Sequence, residues 1–326
     1  MRSKKIQVLL LTMMVFSIVC TGAFGGGGRE AQPVNVENWP TRTIRFVAQS
    51  EAGGSSDLFI RPLQPFLQRE LGVPIVVENM PGAAGRVASS FIWRADPDGY
   101  TLLCHNMPQT TVGEILFNTD YSILEMPHIV SFDIAPYVLI VRRDSPFNSL
   151  RDIVNASRTQ RLTNGTSGVG GTMHLQSAVM RSELGINYDD IPFGGSGAAM
   201  LAVMSRDVDF CILPFDIPIN NQDEVKIISS FADERMTQYP NIRTPGEEGI
   251  PFTYLSIRRS IIAPPGTPRE IIDILIRAFR VIVDDPEVRR WADSRGIIID
   301  PLFGNDALSA TREAHVLIES LSHLLR

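Results

Sequence analysis

The chain has 326 residues, with 30 lysines and arginines against 36 aspartates and glutamates, a formal net charge of -6, 44% hydrophobic residues and three cysteines. That length accommodates about two domains of roughly 100–200 residues each, and the apolar content is that of a globular chain, not a disordered one. Three cysteines cannot build a disulfide scaffold, no cluster has zinc-ligand spacing, and the acidic balance leaves no basic footprint for nucleic acid.

Arg2, Lys4 and Lys5 precede an uncharged apolar run over residues 6–19. A positive n-region followed by an apolar stretch too short to span a bilayer predicts a signal peptide over residues 1–24. Ser17-Ile18-Val19-Cys20 resembles a loosened lipobox, in which Cys20 would be lipidated. Cleavage near Gly22-Ala23-Phe24-Gly25 is the competing reading. Residues 25–40 open on four glycines and continue polar, as a flexible tether would. Loss of the leader leaves the mature chain three charge units more negative. Cys104 and Cys211 lie in apolar runs and read as buried thiols, with a disulfide between them left open.

Strand and helix signals alternate from there. Residues 43–48 (TIRFVA) predict a buried strand, and Leu63, Phe66, Leu67 and Leu71 mark one face of a helix over 57–71 that Gly72 stops. A strand over 75–77, a helix over 85–94 and a strand over 100–104 complete the β-α-β-α-β rhythm of a parallel sheet. A second block starts near Pro136 with a strand over 138–141, then a capping box at Ser149-Leu150-Arg151-Asp152. Strands follow over 162–164, 188–193, 208–213 and 225–230. The last block is helical: Thr267 as N-cap with Pro268 behind it, then Asp285-Pro286 repeating that signal, then an amphipathic helix over 307–325. The expected architecture is α/β in two lobes, residues 41–137 plus 253–326 and residues 138–252, with a ligand cleft between them.

Four glycine-rich turns stand directly after predicted strands, at 49–57 (QSEAGGSSD), 79–85 (NMPGAAG), 164–174 (NGTSGVGGTMH) and 193–198 (FGGSGA). In open α/β sheets ligands bind beyond the carboxyl ends of strands, and a following helix start offers unpaired N–H groups to an anion. With serine and threonine hydroxyls added, the set suits a carboxylate. Gly171 occupies the lysine position of a P-loop and Met173 the last glycine of a dinucleotide fingerprint, so neither motif is complete. Gly194-Gly195-Ser196-Gly197-Ala198 approximates a nucleophile elbow, and Asp216 and His315 follow in the order of an α/β-hydrolase triad. An exported serine hydrolase using Ser196 is therefore the alternative. The five histidines have no metal spacing, and His174 is expected to support its own loop.

The ordered landmarks IRFVAQSEAGGSSD, VVENMPGAAG, DPDGYTLL, LTNGTSGVGGTMHL, IPFGGSGAAM, DVDF and APPGTP, from 44 to 268, resemble the receptors of tripartite tricarboxylate transporters, the Bug family of extracytoplasmic solute receptors. The resemblance implies a monomeric type II-like periplasmic binding protein that closes on a small carboxylate, needs no cofactor, and delivers its ligand to a membrane permease. It places Ser50, Gly53, Gly54, Ser55 and Ser56 on one side of the ligand. Thr166, Ser167, Gly168, Gly170, Gly171 and Thr172, with Gly195, Ser196 and Gly197, fall opposite. Asp57 is expected to orient its own loop. Asn106 and Asp216, each just past a predicted strand, complete the set. Departures from the family pattern are Glu51-Ala52 in the first loop, Gly194-Gly195 where a lysine is common, and Arg258-Arg259 where an aromatic pair is common. One of those arginines is expected to pair with a distal carboxylate of the ligand.

Overall fold

The computed structural model describes residues 36–237 and 239–325. The leader, Cys20 and the start of the tether lie outside them. The tether ends earlier than expected: Val36–Asn38 form one turn of 3-10 helix, and Trp39 is buried, its indole N–H donating to the Asp98 carbonyl at 2.9 Å.

The first sector begins with β1 (Ile44–Ala48), whose near-continuous apolar sequence is buried on both faces. It pairs in parallel with β2 (Ile75–Asn79) and β3 (Thr101–Met107). Between them run α1 (Ser55–Leu71) and α2 (Arg86–Trp93). In α1, Phe59, Leu63, Leu67 and Leu71 recur every fourth residue and are buried, each worth about 1.5–3 kcal/mol over exposure. Phe66, predicted on that face, is half-buried beneath the Arg69 guanidinium. Gly72 ends the helix in the left-handed conformation. A short helix unmarked in the sequence, α3 (Gln109–Leu116), follows β3.

The next strand, β4 (His128–Arg142), is far longer than its expected four residues. Ser131, Asp133 and Pro136 break its apolar run, which hid its first half from sequence reasoning. It runs through both sectors of the sheet. The second sector contains α4 (Leu150–Ala156), β5 (Leu162–Thr166), α5 (Thr172–Leu184), β6 (Tyr188–Pro192), α6 (Ser196–Ser205), β7 (Phe210–Pro214) and β8 (Val225–Phe231). Here β5 pairs in parallel with β6 and β7. The chain then returns through β9 (Ser256–Ile262), α7 (Arg269–Asp284), α8 (Pro286–Ser294), β10 (Ile298–Phe303) and α9 (Asn305–Leu321).

Strand order is β2-β1-β3-β9-β4-β7-β5-β6, with β8 and β10 also paired to β4. The N-terminal part of β4 pairs with β9 and β10, and the part from Tyr137 onward with β7 and β8. Pro136 faces Ser256 and Tyr137 faces Pro214, so the sectors join where β4 passes from one to the other and β9 begins. Helix starts at Ser149 and Asp285 are as expected, each side chain accepting from an N–H of the first turn. Thr267 is not a cap: it donates to the Pro264 carbonyl, and Pro268 takes the N-cap position of α7. Cys104 and Cys211 are free and buried. Among the described residues, no helix is long and apolar enough to cross a membrane.

Candidate functional site

The carboxyl ends of β1, β3, β5 and β6 open on one cleft of about 260 Å³. One wall comes from the turn after β1, with Gln49, Ser50, Gly54 and Ser55, joined by Asn106 from the end of β3. A second comes from the turn over 81–85 ahead of α2. The opposite wall is formed by Ser167, Gly168 and Val169 after β5 and by Phe193, Gly194, Gly195 and Ser196 after β6. Tyr137, Pro214 and Ile257 form the floor, at the junction of the two sectors. No residue lining the cleft carries a formal charge.

The first turn is braced internally. The Ser50 N–H donates to Ser56 Oγ at 3.0 Å, and the Ser56 hydroxyl donates to Ser50 Oγ at 2.7 Å, as does the Asp57 N–H at 3.3 Å. Ser50 Oγ thus accepts twice, which leaves its own hydrogen for the cleft. Asp57 accepts from Gly53 N–H, Arg61 and Asn79, and Asn79 also donates to the Ser50 carbonyl. Burial would raise the Asp57 carboxyl, but these bonds outweigh it and hold the group below its ordinary value. The carboxylate orients the loop and does not face the ligand space, as expected. Gly54 is required here, since a Cβ would fall 2.7 Å from Ser50 Cβ.

Donors and acceptors are left over inside the cleft. Gln49 Nε2, Ser55 Oγ and Asn106 Oδ1 are buried without hydrogen-bond partners, on residues 2%, 4% and 3% exposed. Gln49 is held from behind. Its Oε1 accepts from Thr110 Oγ at 3.2 Å, and Thr110 lies 3.0 Å from His105 Nδ1. Burial, reinforced by His128, pushes the His105 imidazole down to about 3, so it is neutral. Gly85, at φ +90, allows Gln49 this approach; a Cβ there would lie 2.8 Å from Gln49 Oε1.

Three helices start at the cleft with glycine as N-cap and no side-chain cap: α1 after Gly54, α5 after Gly171 and α6 after Gly195. Capping by Ser, Thr, Asp or Asn at these positions would occupy first-turn N–H groups; glycine leaves them for a ligand, except in α1, where the Asp57 N–H is taken by Ser50 Oγ. Each helix start favours an anion by about 0.3–2 kcal/mol.

The structure thus puts Ser50, Gly54, Ser55, Asn106, Ser167, Gly168, Gly195 and Ser196 on the cleft wall. Others of the expected set stand behind it. Gly53 and Ser56 brace the first turn. The buried Thr166 carbonyl accepts from the Phe193 N–H, Gly170 N–H donates to His174 Nδ1 at 3.2 Å, and Gly171 and Thr172 start α5. Gly197 packs against the Gly53 carbonyl. His174 supports its own loop, as expected.

Arg258, Arg259 and Asp216 are corrections. Arg258 is paired with Asp300, and Arg259 is fully buried between Asp133 and Asp216, so neither guanidinium is available to a ligand. Internal carboxylates supply the counter-charge that a ligand was expected to bring. The hydrolase constellation fails for the same reason. Asp216 is engaged by Arg259, its other oxygen has no partner, and His315 bonds to neither it nor Ser196. Gln49 and the turn over 81–85 could have been chosen from their place after strands; Tyr137, Pro214 and Ile257 carry no sequence signal beyond strand propensity.

A family model described as the tripartite tricarboxylate transporter family receptor matches residues 59–307. A UPF0065 protein of Bordetella pertussis is 29% identical over 272 residues, covering 82% of this chain and 84% of its own. Among solved structures, the periplasmic binding protein BugD superposes with a TM-score of 0.80 at 24% identity, over 88% of this chain and 98% of its own. MatC from Rhodopseudomonas palustris, solved with bound malate, has the same TM-score and identity over 87% and 100%. The fold is therefore that of periplasmic binding proteins, and the chain belongs to the tripartite tricarboxylate transporter receptor family.

Proposed function

We propose that the protein captures a small carboxylate in this cleft and delivers it to a tripartite tricarboxylate-type membrane permease, acting outside the cytoplasm as a monomer and without catalysis. The two sectors serve as lobes, residues 41–137 plus 253–326 and residues 138–252. A lipid anchor at Cys20 would hold the receptor near its permease; that cysteine lies outside the described residues. The observation that carries the reading is the convergence of three glycine-capped helix starts, from both sectors, on an uncharged cleft with unpartnered amide and hydroxyl groups. Malate bound to a relative of the same fold supports a small acid as ligand.

The energetics reach micromolar affinity at the favourable end of their ranges. Four hydrogen bonds to a charged group contribute about 1.5–3 kcal/mol each, and two helix starts add about 0.3–2 each. Association and lobe ordering cost about 4–15 kcal/mol, and micromolar binding needs only about -8 net. Closing the lobes removes water and strengthens each bond. Since the helix starts belong to both sectors, a ligand touches its full set only in the closed form, which it thereby favours.

Thermal-shift screening against mono-, di- and tricarboxylates, followed by calorimetry, tests this. The expected result is stabilisation by at least one small carboxylate with no turnover. Absence of any response, or covalent labelling of Ser196 by a fluorophosphonate, would overturn it.

A further inference from the structure

Behind the wall of the cleft, Gln49, Thr110 and His105 form a row of polar side chains, each more than nine-tenths buried. Gln49 lines the cleft directly after β1, and its Nε2 has no partner among the described residues. Its Oε1 is turned the other way and accepts from Thr110 Oγ at 3.2 Å. Thr110 is in the first turn of α3, outside the cleft lining, and its Oγ lies 3.0 Å from His105 Nδ1 on β3.

The position of one hydrogen decides the polarity of this row. His105 is neutral, so only one of its ring nitrogens carries a hydrogen. Its Nε2 is buried without a partner among the described residues, and an N–H placed there would be orphaned. Orphaned buried donors are rarer than under-satisfied acceptors, which puts the hydrogen on Nδ1, where Thr110 Oγ accepts it. Thr110 then gives its own hydrogen to Gln49 Oε1, shared with the Asn106 carbonyl at 3.2 Å. With its oxygen held at the back, Gln49 presents N–H groups to the cleft. A hydrogen on Nε2 would reverse the row: Thr110 would donate to Nδ1 and accept from Gln49, and the amide oxygen would meet the ligand.

We propose that Gln49 Nε2 donates to the ligand's carboxylate, and that Thr110 and His105 are positioning residues that act through it by fixing which end of the amide a ligand meets. This rests on the carboxylate-receptor reading and deepens it. The ligand must offer an acceptor oxygen at this point of the wall. An ammonium placed there would leave the buried amide N–H groups unpaired, which selects against it.

Calorimetric titrations with acetate, succinate, L-malate and citrate test this, the tightest binder being carried into the variants. Gln49→Met should lose at least about tenfold in affinity. Thr110→Val, which keeps the shape without the hydroxyl, should lose about as much, whereas Thr110→Ser should stay within about threefold of wild type. The deciding measurement is the double-mutant cycle: in a Gln49→Met background, Thr110→Val should cost less than about twofold. Equal losses with and without Gln49 would mean that Thr110 serves only the packing of α3, and would overturn the positioning role. Gln49→Met binding as tightly as wild type would overturn the contact. Nitrogen-15 NMR of His105 at neutral pH reads the tautomer directly; a hydrogen found on Nε2 would overturn the assigned polarity. Each of these failures leaves a carboxylate receptor in place. Failure of wild type to bind these probes or any other carboxylate would remove the receptor reading, and this inference with it.

Discussion

Replacing Arg259 by methionine should destabilise the protein severely without altering the cleft wall. The side chain is 0% exposed. Its Nε donates to Asp133 Oδ2 at 2.8 Å, its Nη2 donates to the same oxygen, and its Nη1 reaches Asp216 Oδ2. The backbone N–H adds a bond to Asp133 Oδ1 at 3.0 Å, and the guanidinium lies over the Phe59 ring. Asp133 is in the first part of β4, whereas Asp216 follows β7, so this arginine ties the sectors together beneath the cleft floor. Methionine fills the space but leaves two carboxylates buried and unpaired. Removing one partner of a buried pair costs about 3–5 kcal/mol, and here two acids are stranded. A loss of at least about 4 kcal/mol is a large share of the roughly 5–15 kcal/mol a folded protein has. At about 2–4 °C per kcal/mol for a chain of this size, the midpoint should fall by about 10 °C. Urea unfolding followed by circular dichroism measures this. Adding Asp133→Asn and Asp216→Asn to Arg259→Met should restore most of the loss, since the unpaired charges, and not the missing contacts, carry the penalty. An Arg259→Met protein within about 1 kcal/mol of wild type that no longer binds carboxylates would refute the argument and return Arg259 to the ligand.

Other outcomes follow from the same structure. Burial pushes His128 down to about 4 and His105 to about 3, so the unfolded chain binds more protons than the folded one below about pH 6.5. Their neutral forms stabilise the fold fully above that pH, and stability falls as pH drops towards the folded values, by about 2 kcal/mol for each at pH 5. Urea midpoints that do not fall between pH 7 and pH 5 would contradict this. Gly54→Ala must displace Ser50 or the Glu51 carbonyl, which its Cβ would meet at 2.7 and 3.0 Å, and should weaken carboxylate binding by at least about tenfold while the protein stays folded. Arg258→Ala breaks a pair whose Asp300 partner is 48% exposed and should change stability by no more than about 1 kcal/mol, with ligand affinity unchanged by calorimetry.

How far the sequence revealed this molecule varied with the kind of residue. Regular elements bounded by glycine or proline were legible, as with α1 ending at Gly72 and α8 starting at Asp285. Strands that carry internal charge were not. β9 contains Arg259 and β4 contains Asp133, which satisfy one another in space across more than a hundred residues of chain, and Arg258 of β9 finds its partner in Asp300 of β10. Period-two patterning cannot anticipate that. The turns that form the cleft were legible because glycine and serine after a strand have a local physical reason. The floor was not, since Tyr137, Pro214 and Ile257 become a surface only when the sectors meet. The roles of the two arginines were misjudged for one reason: a charge reads as free in a sequence until its partner is found.

The acidic net charge and the proposed anionic ligand meet in a last prediction, on ionic strength. If attraction came from a free arginine at the cleft, salt would screen it and affinity would fall as salt rises. Attraction here is assigned to N–H groups at helix starts, to Gln49 Nε2 and to hydroxyls, all local dipoles inside a water-excluding cleft. Such interactions decay within the first turn and are screened little once the cleft closes. Long-range forces from a chain of charge -6 oppose the ligand, but beyond a Debye length of about 8 Å at physiological salt they vanish. Affinity should therefore vary by less than about threefold between roughly 50 and 500 mM sodium chloride, and the association rate should rise, not fall, as repulsion is screened. Stopped-flow binding and calorimetry across that range separate the two terms. A steep loss of affinity with salt would mean that a cation, and not the helix starts, holds the carboxylate.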